Sequence, residues 1–211
     1  LCEKVVKEAF RDHATIVRPG YIVGPGDGTD RWTYWPVRVY HGGEMIAPGE
    51  PSDPVQIIDV RDLTAWVIRM LEQETGGAFN AVGPATRMTM GEMLVVTRNT
   101  TGADAEFTWV AADFLSDHSA SFPIWHAPSG EFGAVHQVNG GRARAAGLTF
   151  RPVADTVRDT LEWWKSQDAK RRSQMRAGLR VAPDLGSGPA SMETMAPHEA
   201  KLLEAWRSRT A

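Results

Sequence analysis

The segment from Val55 to Leu71 joins a short strand directly to an amphipathic helix, and this junction constrains the fold more than any other part of the chain. Val55 to Asp59 (VQIID) is rich in β-branched residues, which favour strands. Apolar residues then recur at the i, i+3, i+4, i+7, i+8 spacing of one helical face, and they are Leu63, Trp66, Val67, Met70 and Leu71. Alternating strands and helices of this kind are typical of α/β folds.

The same alternation occurs on both sides of this junction. The first ten residues predict a helix, and Ala14 to Arg18 (ATIVR) predicts a strand buried on both faces. Ala78 to Val82 predicts a further strand, after which Thr89 and Glu92 form a capping box that opens a helix. We therefore expect an α/β fold with a parallel sheet.

The remainder of the chain is less regular. Trp32 to Gly43 predicts a helix that ends at a glycine pair, and residues 111–138 give a mixed pattern. A further helix is predicted by residues at helical spacing that form one face, and they are Val153, Val157, Thr160, Leu161 and Trp164. Residues 181–191 have the composition of a linker, and a final helix carries Leu202, Leu203 and Trp206 on a face that we expect to pack on a neighbour. We divide the chain into a main domain, 1–166, and a linker with a helical tail, 167–211.

A glycine- and proline-rich segment, Pro19 to Asp30, follows the first predicted strand and is interpreted as a long loop. Ligands bind beyond the carboxyl ends of strands in open α/β sheets, so this loop marks the first candidate site. Four residues just after this loop could line a polar and aromatic substrate pocket. They are Arg31, Tyr34, Trp35 and Arg38. The alternative is a solvated helix face with buried tryptophans.

Composition excludes several classes of function. The net charge of −3 and the pI of about 6.1 provide no field that would draw the chain to nucleic acid or an anionic membrane. Cys2 is the single cysteine, no apolar run is long enough to span a bilayer, and the first residues lack the order of a signal peptide. We therefore expect a cytoplasmic protein.

The six histidines show no short metal-ligand spacing, so no metal is predicted.

Three motifs, taken in order, carry a family resemblance. They are RPGYIVGPGD (Arg18 to Asp27), VQIIDVRDL (Val55 to Leu63) and GAFNAVGPATRMTMGE (Gly77 to Glu92). Their order and spacing resemble extended short-chain dehydrogenase/reductases, the NAD-dependent epimerase and dehydratase family. The resemblance covers roughly Leu1 to Trp164. It implies the C-terminal part of a Rossmann-like parallel sheet with a smaller α/β substrate-binding region and a helical tail.

The resemblance also implies a cofactor, NAD or NADP, bound mainly by residues upstream of this chain. In the family a Tyr-x-x-x-Lys pair precedes the first motif, whereas no tyrosine here is followed by lysine at that spacing, and the glycine-rich phosphate turn is absent. We assign no catalytic residue to the chain. It is predicted to be the substrate-binding portion of an NAD(P)-dependent epimerase, dehydratase or reductase, inactive in hydride transfer on its own.

By the same resemblance, backbone groups at Pro19, Gly20, Tyr21 and Ile22 face the nicotinamide, the alternative being a simple tight turn at Pro19 and Gly20. Nucleotide-sugar members often carry Arg-Asp where this chain has Val55-Gln56. We therefore place Gln56 at the substrate and expect a smaller or less anionic compound that is sugar-like or carries another hydroxyl or carbonyl group.

Arg61 is a further substrate candidate, with Asp59 and Asp62 beside it. Carboxylates at a helix start also cap amide groups, and both interpretations stay open. An alternative from a different class of function is a non-catalytic nucleotide sensor, or a protein- or RNA-binding module, of the same fold. The residues upstream would distinguish this alternative from an enzyme. An exposed sheet edge would also allow a homodimer.

Overall fold

A computed structural model describes residues 2–180 and 192–210. The strands in these ranges are β1 (Thr15–Pro19), β2 (Tyr21–Val23), β3 (Gly43–Pro48), β4 (Pro54–Asp59), β5 (Gly77–Ala81), β6 (Gly83–Thr89) and β7 (Ala105–Val110). The helices are α1 (Cys2–Phe10), α2 (Tyr34–Tyr40), α3 (Val60–Glu72), α4 (Met90–Thr101), α5 (Ala112–Asp117), α6 (Gly141–Ala145), α7 (Val153–Ser166), α8 (Ala169–Arg172) and α9 (Met192–Thr210). A 3-10 turn, Arg11–His13, follows α1.

The strands pair mainly in parallel. β1 pairs with β5, β3 pairs with β7, and β2 pairs with β4, which is also joined by the antiparallel β6. Pro19 at the end of β1 lies opposite Ala81 at the end of β5. The predicted α/β class with parallel strands is confirmed.

The strand-to-helix junction at β4 and α3 forms as predicted. The Asp59 carboxylate accepts a hydrogen bond from the Arg61 backbone N–H and so caps α3. Leu63, Trp66 and Met70 are buried, while Leu71 near the helix end is exposed. The capping box of α4 is also confirmed, because Thr89 and Glu92 each bond the other's backbone N–H.

Two local predictions are wrong. β1 has only Ile16 buried, because within the described residues it pairs on one side alone, with β5. Residues 19–30 are not loop throughout, since β2 forms within them and pairs with β4. In addition, β3 was not foreseen; Gly42 and Gly43 both have a φ of +68°, which turns the chain from α2 into a strand at once. The predicted linker, 181–191, lies outside the described residues.

The core comprises two apolar clusters. The smaller cluster lies between α3, β5 and α6 and includes Trp66 and Phe79. The larger one is built from α2, α4, α7 and the β3–β7 pair. Leu202 and Leu203 of α9 are buried in this larger cluster, so the neighbour on which the tail packs is the chain's own core.

The first helix contributes nothing to either cluster. Its apolar side chains are solvent-exposed, with Val5 57% and Phe10 61% accessible. Within the ranges that the structure describes, no helix combines the length and the apolarity that crossing a bilayer requires.

Candidate functional site

A cleft of about 460 Å³ opens at the carboxyl ends of β1 and β5. We call it the β1 cleft, and its lining residues are Arg18, Pro19, Gly20, Tyr21, Arg31, Gln56, Asn80, Val82, Val135 and Val138. The lining of the cleft thus combines aliphatic and aromatic side chains with amide and guanidinium groups. Sites for small molecules commonly combine apolar walls with a few polar groups.

Five of the predicted site residues meet in this cleft: Pro19, Gly20, Tyr21, Arg31 and Gln56. Ile22, the remaining residue of the predicted nicotinamide edge, is exposed but lies outside this lining. The end of β1, the start of β2, the loop before α2 and the β4 strand therefore converge on one surface.

Gly20 links the two parallel strands at the edge of the cleft. Its N–H donates to the Ala81 carbonyl over 3.2 Å, so this amide is already used within the protein. A Cβ atom added at Gly20 would lie 3.2 Å from Cγ1 of Val82, another lining residue. A larger side chain at position 20 would therefore compete with Val82 for the cleft wall.

Tyr21 is held by a histidine from a distant part of the chain. Its phenol oxygen lies 2.6 Å from Nε2 of His126, and its ring stacks on His136 with 5.6 Å between centroids. The Arg31 guanidinium carbon lies 5.2 Å from the centre of the Tyr21 ring, within the range of a cation–π contact. Burial raises the pKa of the Tyr21 phenol, although the charge of Arg31 opposes this effect, so the hydroxyl stays protonated at neutral pH.

His136 is fixed in one tautomer by two backbone groups. The Gln56 N–H donates to Nδ1 over 3.0 Å, and Nε2 lies 2.7 Å from the Ile124 carbonyl oxygen. Since Nδ1 accepts, the ring proton is on Nε2. Burial lowers the pKa of both His136 and His126, so both rings are neutral near pH 7.

The structure revises the prediction for Gln56. Its side-chain Oε1 accepts from the Val138 N–H, and its Nε2 donates to the Val138 carbonyl, each over 2.9 Å. The amide therefore holds the segment that carries Val135 and Val138 against β4. Gln56 contributes to the site by shaping its wall, because both ends of its side-chain amide are bonded to protein.

Three predicted substrate residues lie elsewhere. Tyr34 and Trp35 are 1% and 0% exposed, respectively, because α2 is covered by α4 and α7. Arg38 is buried as well, and it bonds the Glu199 carboxylate and the carbonyls of Gly42 and Glu44. The pocket interpretation is thus wrong for these three residues. The tryptophans are buried as the alternative had it, but its solvated helix face is wrong as well, because every residue of α2 from Tyr34 to Val39 is buried.

Arg61 is likewise committed to protein contacts. It bonds Asp59 through Nε and Nη2, and it pairs with Asp159 on α7. These contacts, together with the Asp59 cap, support the capping interpretation and leave Arg61 outside the β1 cleft. Its guanidinium joins the start of α3 to α7.

A second cleft, of about 290 Å³, shares Tyr21 and Arg31 with the first. We call it the His126 cleft, and its other lining residues are Ser121, Phe122, Pro123, Ile124, His126, Ala177, Gly178 and Arg180. A third cleft, of about 310 Å³, adjoins the β1 cleft at Gln56, Val82 and Val138, and Arg87 and Arg144 also line it.

The linings of these three clefts contain arginines and no carboxylate. Arg18 is paired with Glu3, but Arg31 contacts only Thr29 Oγ1 and the Tyr21 ring among the described residues. The linings of the clefts thus carry positively charged side chains and no negatively charged ones, on a chain whose net charge is −3. No group of three or more His, Cys, Asp or Glu in residues 2–180 and 192–210 is placed to hold a metal ion.

The sequence analysis did not predict that His126 and His136 belong to the site. His126 reaches Tyr21 across 105 residues and His136 reaches Gln56 across 80, and neither belongs to a short motif. No local signal marks such contacts, because they depend on how the irregular segment between α5 and α6 folds back over β2 and β4.

No protein-family model and no curated protein sequence matches the chain. Solved structures do match. UDP-glucose 4-epimerase from Thermus thermophilus, in complex with NAD, is 14% identical with a TM-score of 0.53, and the match covers 79% of this chain and 51% of that one. RMD from Pseudomonas aeruginosa, in complex with NADPH, is 15% identical with a TM-score of 0.51, covering 78% and 51%.

A third match is UDP-glucuronic acid 4-epimerase from Bacillus cereus in complex with NAD, at 12% identity and a TM-score of 0.51, covering 76% of this chain and 47% of that one. The chain thus spans about half the length of these proteins. At such identities the likeness establishes the fold alone, which is the Rossmann-like α/β fold of the epimerases.

Proposed function

We propose that the chain is the substrate-side part of an NAD(P)-dependent epimerase, dehydratase or reductase, and that the nicotinamide lies in the β1 cleft. The observation that carries the proposal is the convergence of Pro19, Gly20, Tyr21 and Arg31 on one cleft at the carboxyl ends of β1 and β5. The solved structures with this fold include complexes with NAD and with NADPH.

The lining suits a flat ring that carries an amide. Val82, Val135 and Val138 offer apolar surface, and Asn80 offers a side-chain carbonyl oxygen while its Nδ2 bonds the Asn139 carbonyl. When bound, a nicotinamide supplies the hydride acceptor or donor. In our proposal Pro19 and Gly20 form its wall, and Val82 excludes water behind it.

The chain's own polar residues orient a substrate beside that wall. Tyr21 presents a protonated phenol held by His126, and Arg31 presents a positive charge at the same rim. A hydroxyl or carbonyl compound fits this combination, because the Arg31 guanidinium donates hydrogen bonds to oxygen and the Tyr21 phenol is a second polar group at the same rim. We propose such a compound as the substrate, with the main domain, 1–166, forming the site.

The test uses the protein encoded by the full reading frame that contains this chain. NADH and NADPH are titrated separately, and binding is followed by nicotinamide fluorescence. We expect saturable binding of one or both, and Gly20→Leu weakens it at least about tenfold because the new side chain enters the cleft. Gly28→Ala is the matched control, since nothing lies within 4 Å of a Cβ there.

Two outcomes contradict the proposal. One is the absence of saturable binding for both dinucleotides. The other is unchanged affinity in a folded Gly20→Leu protein, which would place the nicotinamide away from the β1 cleft.

A further inference from the structure

The His126 cleft is assembled from three distant parts of the chain. Ser121 and Arg180 form a two-way backbone bridge, with N–H to carbonyl distances of 2.8 and 2.9 Å. The buried Asp30 carboxylate accepts from the Arg176 backbone N–H over 2.7 Å, which ties the same segment to the loop before α2. Arg31 and Arg180 are therefore brought to one small cleft by contacts that are themselves buried or backbone-based.

The two arginines of this cleft differ from the paired arginines of the molecule. Arg38 and Arg171 are each held by a carboxylate, Glu199 and Asp30 respectively. Neither Arg31 nor Arg180 has a carboxylate partner within the residues described. The two guanidinium groups thus place positive charge at one cleft whose described lining contains no carboxylate, and such a cleft attracts anions.

The other lining groups do not compete for an anion. His126 is neutral near pH 7 because burial lowers its pKa, and its Nε2 is bonded to the Tyr21 hydroxyl. Phe122, Pro123 and Ile124 supply an apolar floor. The volume of about 290 Å³ accommodates a compact group and is at the lower limit of typical ligand sites.

We propose that the His126 cleft is an anion subsite in which Arg31 and Arg180 bind a carboxylate or phosphate-monoester group of the substrate. This inference rests on the proposed function, because Tyr21 and Arg31 line both clefts and so connect the subsite to the β1 cleft. A substrate held in this way extends from the anionic group to a reacting hydroxyl or carbonyl carbon beside Tyr21. Guanidinium groups suit such oxyanions because they donate two parallel hydrogen bonds.

The test does not need a nicotinamide cofactor, so its failure is distinct from failure of the proposed function. Arginine Nε–Hε resonances are recorded by NMR while sodium acetate, inorganic phosphate or sodium chloride is added at matched ionic strength. We expect saturable shifts at Arg31 and Arg180 with acetate or phosphate. Tighter binding of acetate indicates a carboxylate, and tighter binding of phosphate indicates a phosphate monoester; either result supports the subsite.

Two variants locate the binding. Arg31→Gln and Arg180→Gln are each expected to weaken the tighter anion about tenfold, which corresponds to one charge-assisted contact of about 1.4 kcal/mol. Arg180 is exposed, so its variant tests the site even if loss of the Arg31 contact to Tyr21 disturbs the loop. Arg158→Gln is the matched control, because Arg158 is an exposed arginine on α7 outside the clefts.

The subsite is overturned by shifts that do not saturate, by shifts of the same size with chloride, or by equal affinity in the Arg180→Gln protein. Each of these results would mean that the anion responds to general surface charge and has no defined position between the two arginines.

Discussion

The phenol oxygen of Tyr21 lies 2.6 Å from Nε2 of His126, although 105 residues separate the two in sequence. This bond fixes the start of β2 against the irregular segment that follows α5. Because Tyr21 lines both the β1 cleft and the His126 cleft, the bond also sets the boundary between them. The shape of the candidate site therefore depends on a contact that no local sequence pattern encodes.

Replacing Tyr21 with Phe tests how much this hydrogen bond contributes to the stability of the fold. The ring stays, so its stacking on His136 is retained, but the imidazole of His126 loses its partner. We expect the free energy of unfolding to fall by about 1 kcal/mol, measured by urea denaturation. Tyr40→Phe is the control, because its exposed ring keeps the contact with Lys165. A Tyr21→Phe protein as stable as the control contradicts the assignment.

The stability of the site should decline in mild acid because of His136. Burial lowers its pKa below the ordinary value of 6.5, so the unfolded chain binds this proton more readily than the folded one. The associated stability is fully present above about pH 6.5 and is lost as the pH falls below it. Unfolding free energies measured between about pH 7.5 and 5.5 should decrease with falling pH.

His136→Asn removes this titration and should reduce that pH dependence, even if it lowers stability at pH 7.5. His126 contributes in the same direction, because burial lowers its pKa too. An unchanged slope in the His136→Asn protein would show that His136 does not carry the effect.

The buried pair of Arg38 and Glu199 should anchor α9. Glu199→Ala leaves the Arg38 charge buried beside two carbonyls and removes the acceptor of the Ile46 N–H, so a loss of about 3–5 kcal/mol is expected in urea denaturation. Glu199→Gln keeps an acceptor for Ile46 and should cost less. For comparison, Asp155→Ala removes the partner of the exposed Arg158 and should cost at most about 1 kcal/mol. Equal losses in the Glu199→Ala and Asp155→Ala proteins would contradict the anchoring role.

The Asp59 carboxylate that caps α3 should make the stability of the fold depend on pH in strong acid. Burial alone raises the pKa of Asp59, but hydrogen bonds from Arg61 and Thr156 outweigh it and bring the pKa below the ordinary 3.8. The stability from this carboxylate is therefore present above about pH 4 and is lost as the pH falls through the lowered value. Asp59→Asn should reduce the dependence of unfolding on pH in that range, and circular dichroism during acid titration measures it. A titration curve that coincides with that of the parent protein would refute the claim.

The alternation of strands and helices was predictable because it depends on local periodicity. The α3 stripe, the α4 capping box and the strands at 55–59 and 78–82 all formed near their predicted bounds. The short β2 and β3 strands were missed, because glycines and prolines around them resemble a loop and their pairing partners lie more than thirty residues away.

Within the candidate site, the residues at the end of β1 were predictable and the residues opposite them were not. Pro19, Gly20 and Tyr21 lie where β1 ends and β2 begins, at the position that the family resemblance indicated. Tyr34, Trp35 and Arg38 were misplaced, because helix periodicity does not reveal that α4 and α7 both cover α2. Long-range hydrogen bonds then decide which polar groups remain available, as the amide of Gln56 shows.

A crystal structure of the full-reading-frame protein grown with NAD or NADP would show where the nicotinamide binds. We predict that the nicotinamide ring lies in the β1 cleft, in contact with Pro19, Gly20 and Val82. A bound dinucleotide whose nicotinamide lies at any other surface, with the β1 cleft filled only by solvent, would contradict it.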